Sequence, residues 1–103
     1  MIFKQLFDET SSTYTYLISS GEGREALIID PVLDHVDGYI KILNQLNLRL
    51  VKVIDTHIHA DHISAINELN KRTNCIRVMG EKSKSDVIDL RIKDGEKIKI
   101  EEV

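Results

Sequence analysis

The chain opens with short blocks of alternating or bunched apolar side chains, separated by polar turns. Residues 2–7 predict a strand, residues 8–12 a turn, and Thr13–Ser19, rich in β-branched and aromatic types, a second strand. The Ser20-Gly21-Glu22-Gly23 cluster is a turn signal, and residues 25–30 form the returning strand. Its centre, Ala26-Leu27-Ile28-Ile29, is apolar without alternation, the pattern of a strand buried on both faces. Pro31 has no N–H to give to a ladder and ends it. The period then changes. Val36, Tyr39, Ile40, Leu43 and Leu46 recur every three or four positions, the stripe of an amphipathic helix, with Asp34 placed to cap its start. Arg49–Asp55 reads as a buried strand. Ile63, Ile66 and Leu69 mark a second helix ending near Asn74, and residues 75–79 a short strand. Residues 97–100, after the Asp94-Gly95 turn, alternate like a solvent-edged strand. The order βββαβαβ(β) predicts an α/β or α+β fold, a mixed sheet with helices on one face.

Composition narrows the class. The 103 residues contain no linker-like tract, so residues 1–103 are expected to form a single domain. No apolar run reaches membrane-spanning length. A net charge of −3 without a basic cluster argues against nucleic acid as the main partner. One cysteine, Cys75, and no signal-like leader point to a reducing, cytoplasmic setting. Cys75 opens an apolar strand, so a buried, inert thiol is expected there. Tyr14 and Tyr16 share a strand face and are read as packing residues, and the isolated His35 as a surface residue.

Candidate chemistry is concentrated in one place. His57, His59, Asp61 and His62 fall within six positions, directly after the strand Arg49–Asp55. In extended backbone, side chains at i and i+2 share a face, so His57 and His59 can converge. Asp61 and His62 stand where the chain enters the next helix. Imidazoles with a carboxylate suit zinc, iron or manganese, and strand ends leading into helices are common sites in α/β folds. Asp30, at the end of a buried strand beside Pro31, has two readings: a hydrogen bond to the histidine loop, or a turn carboxylate capping backbone N–H groups.

The run Thr56-His57-Ile58-His59-Ala60-Asp61-His62 resembles the T-H-x-H-x-D-H signature of the metallo-β-lactamase-fold superfamily. Ser11-Ser12-Thr13-Tyr14-Thr15-Tyr16-Leu17, Leu27-Ile28-Ile29-Asp30-Pro31-Val32 and Ile88-Asp89-Leu90 look like its persulfide dioxygenase branch. The resemblance implies the N-terminal half of an αββα sandwich with one non-haem Fe(II), zinc being the alternative. It also implies oxidation of glutathione persulfide to sulfite. His57 matches an iron ligand. His59, Asp61 and His62 match metal positions of two-metal relatives, or groups that orient the ligand from behind, as Thr56 and Asp30 would. The family's remaining ligands, a His and an Asp, lie downstream of the matched stretch, and no His follows His62. A homodimer, or association with a separate C-terminal half, is therefore expected to cover the sheet and complete the site. Two other functions fit the same residues: a glyoxalase II-like thioester hydrolase, and a non-catalytic half-domain that dimerises.

Overall fold

The structure is a computed structural model and describes residues 1–56, 60–80 and 90–92. Among these, six strands form one sheet in chain order: β1 (Ile2–Asp8), β2 (Thr13–Ser19), β3 (Glu25–Ile29), β4 (Arg49–Asp55), β5 (Ile76–Gly80) and β6 (Leu90–Ile92). The first three pair antiparallel through tight turns, whereas β3, β4, β5 and β6 pair parallel. Two helices, α1 (Val36–Gln45) and α2 (Ala60–Thr73), make the crossovers from β3 to β4 and from β4 to β5. Parallel neighbours need such crossovers, which is why the helical stripes appear only after the third strand. Among the described residues no helix is long and apolar enough to cross a membrane.

Both helices pack on one face of the sheet. Val36, Tyr39 and Leu43 of α1 and Ile66 and Leu69 of α2 share a core with Leu17, Ala26, Ile28, Leu50 and Val53 of the strands. Leu17, Ile28, Val53, Ile66 and Leu69 are fully buried, each contributing about 1.5–3 kcal/mol. Leu27, Ile54 and Val78 form a smaller cluster with Ile18, Ile29 and Val51. Strand β3 is thus buried on both faces, as its unbroken apolar run predicts.

A register shift between β3 and β4 settles the faces of β4. Ala26 stands opposite Leu50, but Leu27 stands opposite Lys52, so Val51 is an extra residue. The bulge puts Leu50 and Val53, three positions apart, on the same helix-covered face.

The helix ends follow local chemistry. Helix α1 closes in a Schellman arrangement: Leu48 N–H reaches Leu43 C=O at 2.8 Å and Asn47 N–H reaches Asn44 C=O at 3.2 Å, with Asn47 at φ 54°. Helix α2 ends at Thr73 with Asn74 left-handed at φ 61°. The start of α1 differs from expectation. Asp34 lies inside a 3-10 turn, Leu33–His35, the cap position falls to His35, and no side chain caps it. The turn satisfies backbone groups itself, through His35 N–H to Val32 C=O at 3.0 Å. Strand β5 begins one residue later than expected, leaving Cys75 just before it, buried in the core. The expected strand over residues 97–100 lies outside the described residues.

Tyr14 and Tyr16 face away from the helices. Their rings pair with Phe7 and Phe3 at centroid distances of 4.7 and 5.6 Å. Phe3, Phe7 and Tyr14 remain half exposed, at 58%, 50% and 50%.

Candidate metal centre

Strands β3 and β4 run parallel, so their C-terminal ends finish at one edge of the sheet. Each is followed by a polar residue, Asp30 and Thr56 respectively. Asp30 N–H donates to Ile54 C=O at 2.7 Å, which ties the two ends together. Its backbone is left-handed, φ 55°, a conformation that Asp tolerates better than most side chains. This turn stops β3 one residue short of the expected end. Thr56 N–H donates to Asp30 Oδ1 at 2.7 Å, and the Thr56 hydroxyl donates to Oδ2 at 2.5 Å. Hydrogen bonds to a carboxylate are short and strong, so both Asp30 oxygens hold the residue that opens the histidine-rich stretch.

Of the other expected site residues, His57 and His59 lie outside the described residues. Asp61 and His62 belong to the first turn of α2. Among the described residues no group of three or more His, Cys, Asp or Glu side chains converges. The donor set of residues 57–62, three imidazoles and a carboxylate, has the chemistry of a site for iron(II) or zinc. Their place in the chain, from just after β4 into the first turn of α2, is where such sites form.

Sequence reasoning missed Asp55. It is 2% exposed and immediately precedes Thr56. Its signal was present: a carboxylate closing an apolar strand, two positions after the fully buried Val53 and so on the same face. A buried carboxylate is costly unless other groups compensate it, which makes a position beside a candidate cation loop significant.

A second polar cluster lies at the end of β1. His35 is half exposed, as expected of a surface residue, but its Nε2 meets Asp8 Oδ1 at 2.7 Å. The Ser11 hydroxyl and backbone N–H both donate to Asp8 Oδ2, at 2.6 and 2.9 Å. The pair lines a cavity of about 220 Å³ between the first hairpin and α1. The Ser11 hydroxyl first, then His35 and the Ser11 N–H, hold the Asp8 carboxyl down from its ordinary 3.8 to about 2. A depressed carboxylate stabilises the fold above its unfolded value, and that contribution disappears as pH falls through the folded value. Melting curves should lose stability between about pH 4 and about pH 2, and Asp8→Asn should flatten the loss. Equal acid slopes in the two proteins would remove Asp8 from the acid response.

Comparison with known proteins places this geometry among relatives. Residues 9–96 match the family described as the metallo-beta-lactamase superfamily. The chain is 37% identical over 100 residues to the human protein named "Persulfide dioxygenase ETHE1, mitochondrial", covering 96% of this chain and 39% of that one. The crystal structure of ETHE1 from Myxococcus xanthus superimposes with a TM-score of 0.87 at 42% identity, over 98% of this chain and 44% of that chain. A hydroxyacylglutathione hydrolase from Methylococcus capsulatus is 28% identical over 89 residues, covering 84% of this chain and 34% of that one. The chain therefore spans about two fifths of the length of the ETHE1 proteins it matches.

Proposed function

The chain belongs to the metallo-beta-lactamase superfamily, and from that premise we propose that it forms the metal-binding N-terminal part of a persulfide dioxygenase. The likeness to the Myxococcus protein, at 42% identity over 98% of this chain, carries the proposal. The substrate class is a glutathione persulfide, whose terminal sulfur is oxidised with O₂ and water to give sulfite and glutathione. Residues 1–103 are read as part of one catalytic domain.

His57 would hold the metal, with His59, Asp61 and His62 as further ligands or as groups that orient it. When bound, iron(II) supplies the coordination and electron chemistry that O₂ requires. This chain's own residues provide position. Asp30 holds Thr56 at both its N–H and its hydroxyl, so the residue that immediately precedes His57 is fixed in place. Groups that fix a ligand's orientation in this way sharpen metal affinity. The half-exposed rings of Phe3, Phe7 and Tyr14 support association of that sheet face with further protein, from a longer chain or from a second copy. A reducing compartment such as the cytoplasm suits the lone, buried Cys75.

The test is anaerobic loading of the whole protein with iron(II), followed by metal analysis and O₂ uptake with glutathione persulfide. One iron per site with uptake and sulfite release is the expected result. The relationship to the Methylococcus hydrolase supports a second reading, thioester hydrolysis by a metal-activated water. Two metals per site and cleavage of a glutathione thioester without O₂ would select it. No bound metal and neither activity would leave a non-catalytic module.

A further inference from the structure

The turn that aims Asp30 is held from behind by two hydroxyls on other elements. Val32 N–H donates to the Tyr39 phenol oxygen at 3.0 Å. The Tyr39 and Thr15 hydroxyl oxygens are 3.2 Å apart, and the Thr15 hydroxyl donates to Asp30 C=O at 2.7 Å. A hydroxyl has one hydrogen, and Thr15 spends its own on that carbonyl. The Tyr39 O–H therefore donates to Thr15 Oγ, and the bonds run in one direction from Val32 to Tyr39 to Thr15 to Asp30. Bonds aligned head to tail polarise and strengthen one another.

The circuit closes around Asp30, Pro31 and Val32. Pro31 has no N–H, so the Asp30 C=O and the Val32 N–H flank it as the groups needing partners. Tyr39 and Thr15 are 3% and 1% exposed, so little water can substitute for them. Burial raises the Tyr39 phenol above its ordinary range, so the O–H stays protonated.

We infer that Tyr39 and Thr15 are positioning residues. They clamp the left-handed Asp30 turn so that its carboxylate fixes Thr56, and through Thr56 they set the cation affinity of the 57–62 stretch. Tyr39 does this from α1 and Thr15 from β2, neither of which carries a proposed ligand. This inference rests on the metal-binding reading above.

The experiment uses cobalt(II) as probe on the whole protein, with amide exchange at Thr56 measured on the metal-free form. Tyr39→Phe and Thr15→Val should each speed Thr56 exchange and weaken cobalt binding about tenfold, the scale seen when groups orienting metal ligands are removed. Thr15→Ser keeps the hydroxyl and should restore both readouts. Leu43→Val, a core change in α1 outside the circuit, should lower thermal stability and leave both unchanged. Wild-type exchange and affinity in Tyr39→Phe and Thr15→Val would overturn the clamp while leaving the metal reading intact. An equal loss of affinity in Leu43→Val would overturn it too, as general destabilisation. A wild-type protein that takes up no cobalt would overturn the metal reading and this inference with it.

Discussion

Replacing His57 by Ala should abolish the stabilisation that added metal confers on the protein. A ligand that binds only the folded state stabilises it by RT ln(1 + [L]/Kd), about 2.7 kcal/mol at a hundredfold excess over Kd. His57 is the residue proposed above to hold the metal, and it directly follows Thr56, the residue both Asp30 oxygens hold. Removing its imidazole takes away a donor that a carboxylate or water replaces poorly for iron or zinc. Calorimetric melting with iron(II) under anaerobic conditions, and with zinc, should show an upward shift in wild type and none in His57→Ala. In chelator the two proteins should melt together. A metal-induced shift that survives the substitution would place the cation elsewhere.

Asp30→Ala should be the more damaging change to the fold itself. It removes two hydrogen bonds to a carboxylate, at 2.7 and 2.5 Å, and leaves a β-carbon at φ 55° without the side chain that compensated it. Hydrogen bonds to charged groups contribute about 1.5–3 kcal/mol each, less where water reaches them, and a left-handed backbone costs an ordinary residue about 1–2 kcal/mol. Thr56 is exposed, so the lower end applies, and a loss of roughly 3 kcal/mol is expected. Two companions separate the causes. Asp30→Gly relieves the backbone but not the lost bonds, and Asp30→Asn keeps an acceptor and a tolerant backbone. Urea unfolding at constant m should rank Asn mildest, Gly intermediate and Ala worst. A glycine variant as stable as wild type would show that the carboxylate contributes nothing beyond its conformation.

The strands of the first hairpin were legible because their alternation and turn residues are local. Thr13–Ser19 needs no distant partner to be recognised, and the apolar spacing of the second helix brings its end near Asn74, where the backbone turns left-handed at φ 61°. The cap of α1 was misread for the opposite reason. Asp34 has the right side chain in a plausible place, but a 3-10 turn satisfies the backbone first. Lys52 concealed the faces of β4, since the bulge at Val51 depends on how β3 lies beside it. Strand β6, three residues long, has too little pattern to announce itself.

The histidine-rich stretch and its place after a buried strand belong to the sequence alone, because metal donors are chemical types and their spacing is written in the chain. So do the element order and the apolar run of β3, which burial on two faces demands. Tertiary structure alone decided that Asp30 faces Thr56 across 26 positions and that Tyr39 and Thr15 meet behind the turn. Those contacts join residues from separate elements, and parallel pairing with a bulged register sets their distances. No window of neighbouring residues contains that information.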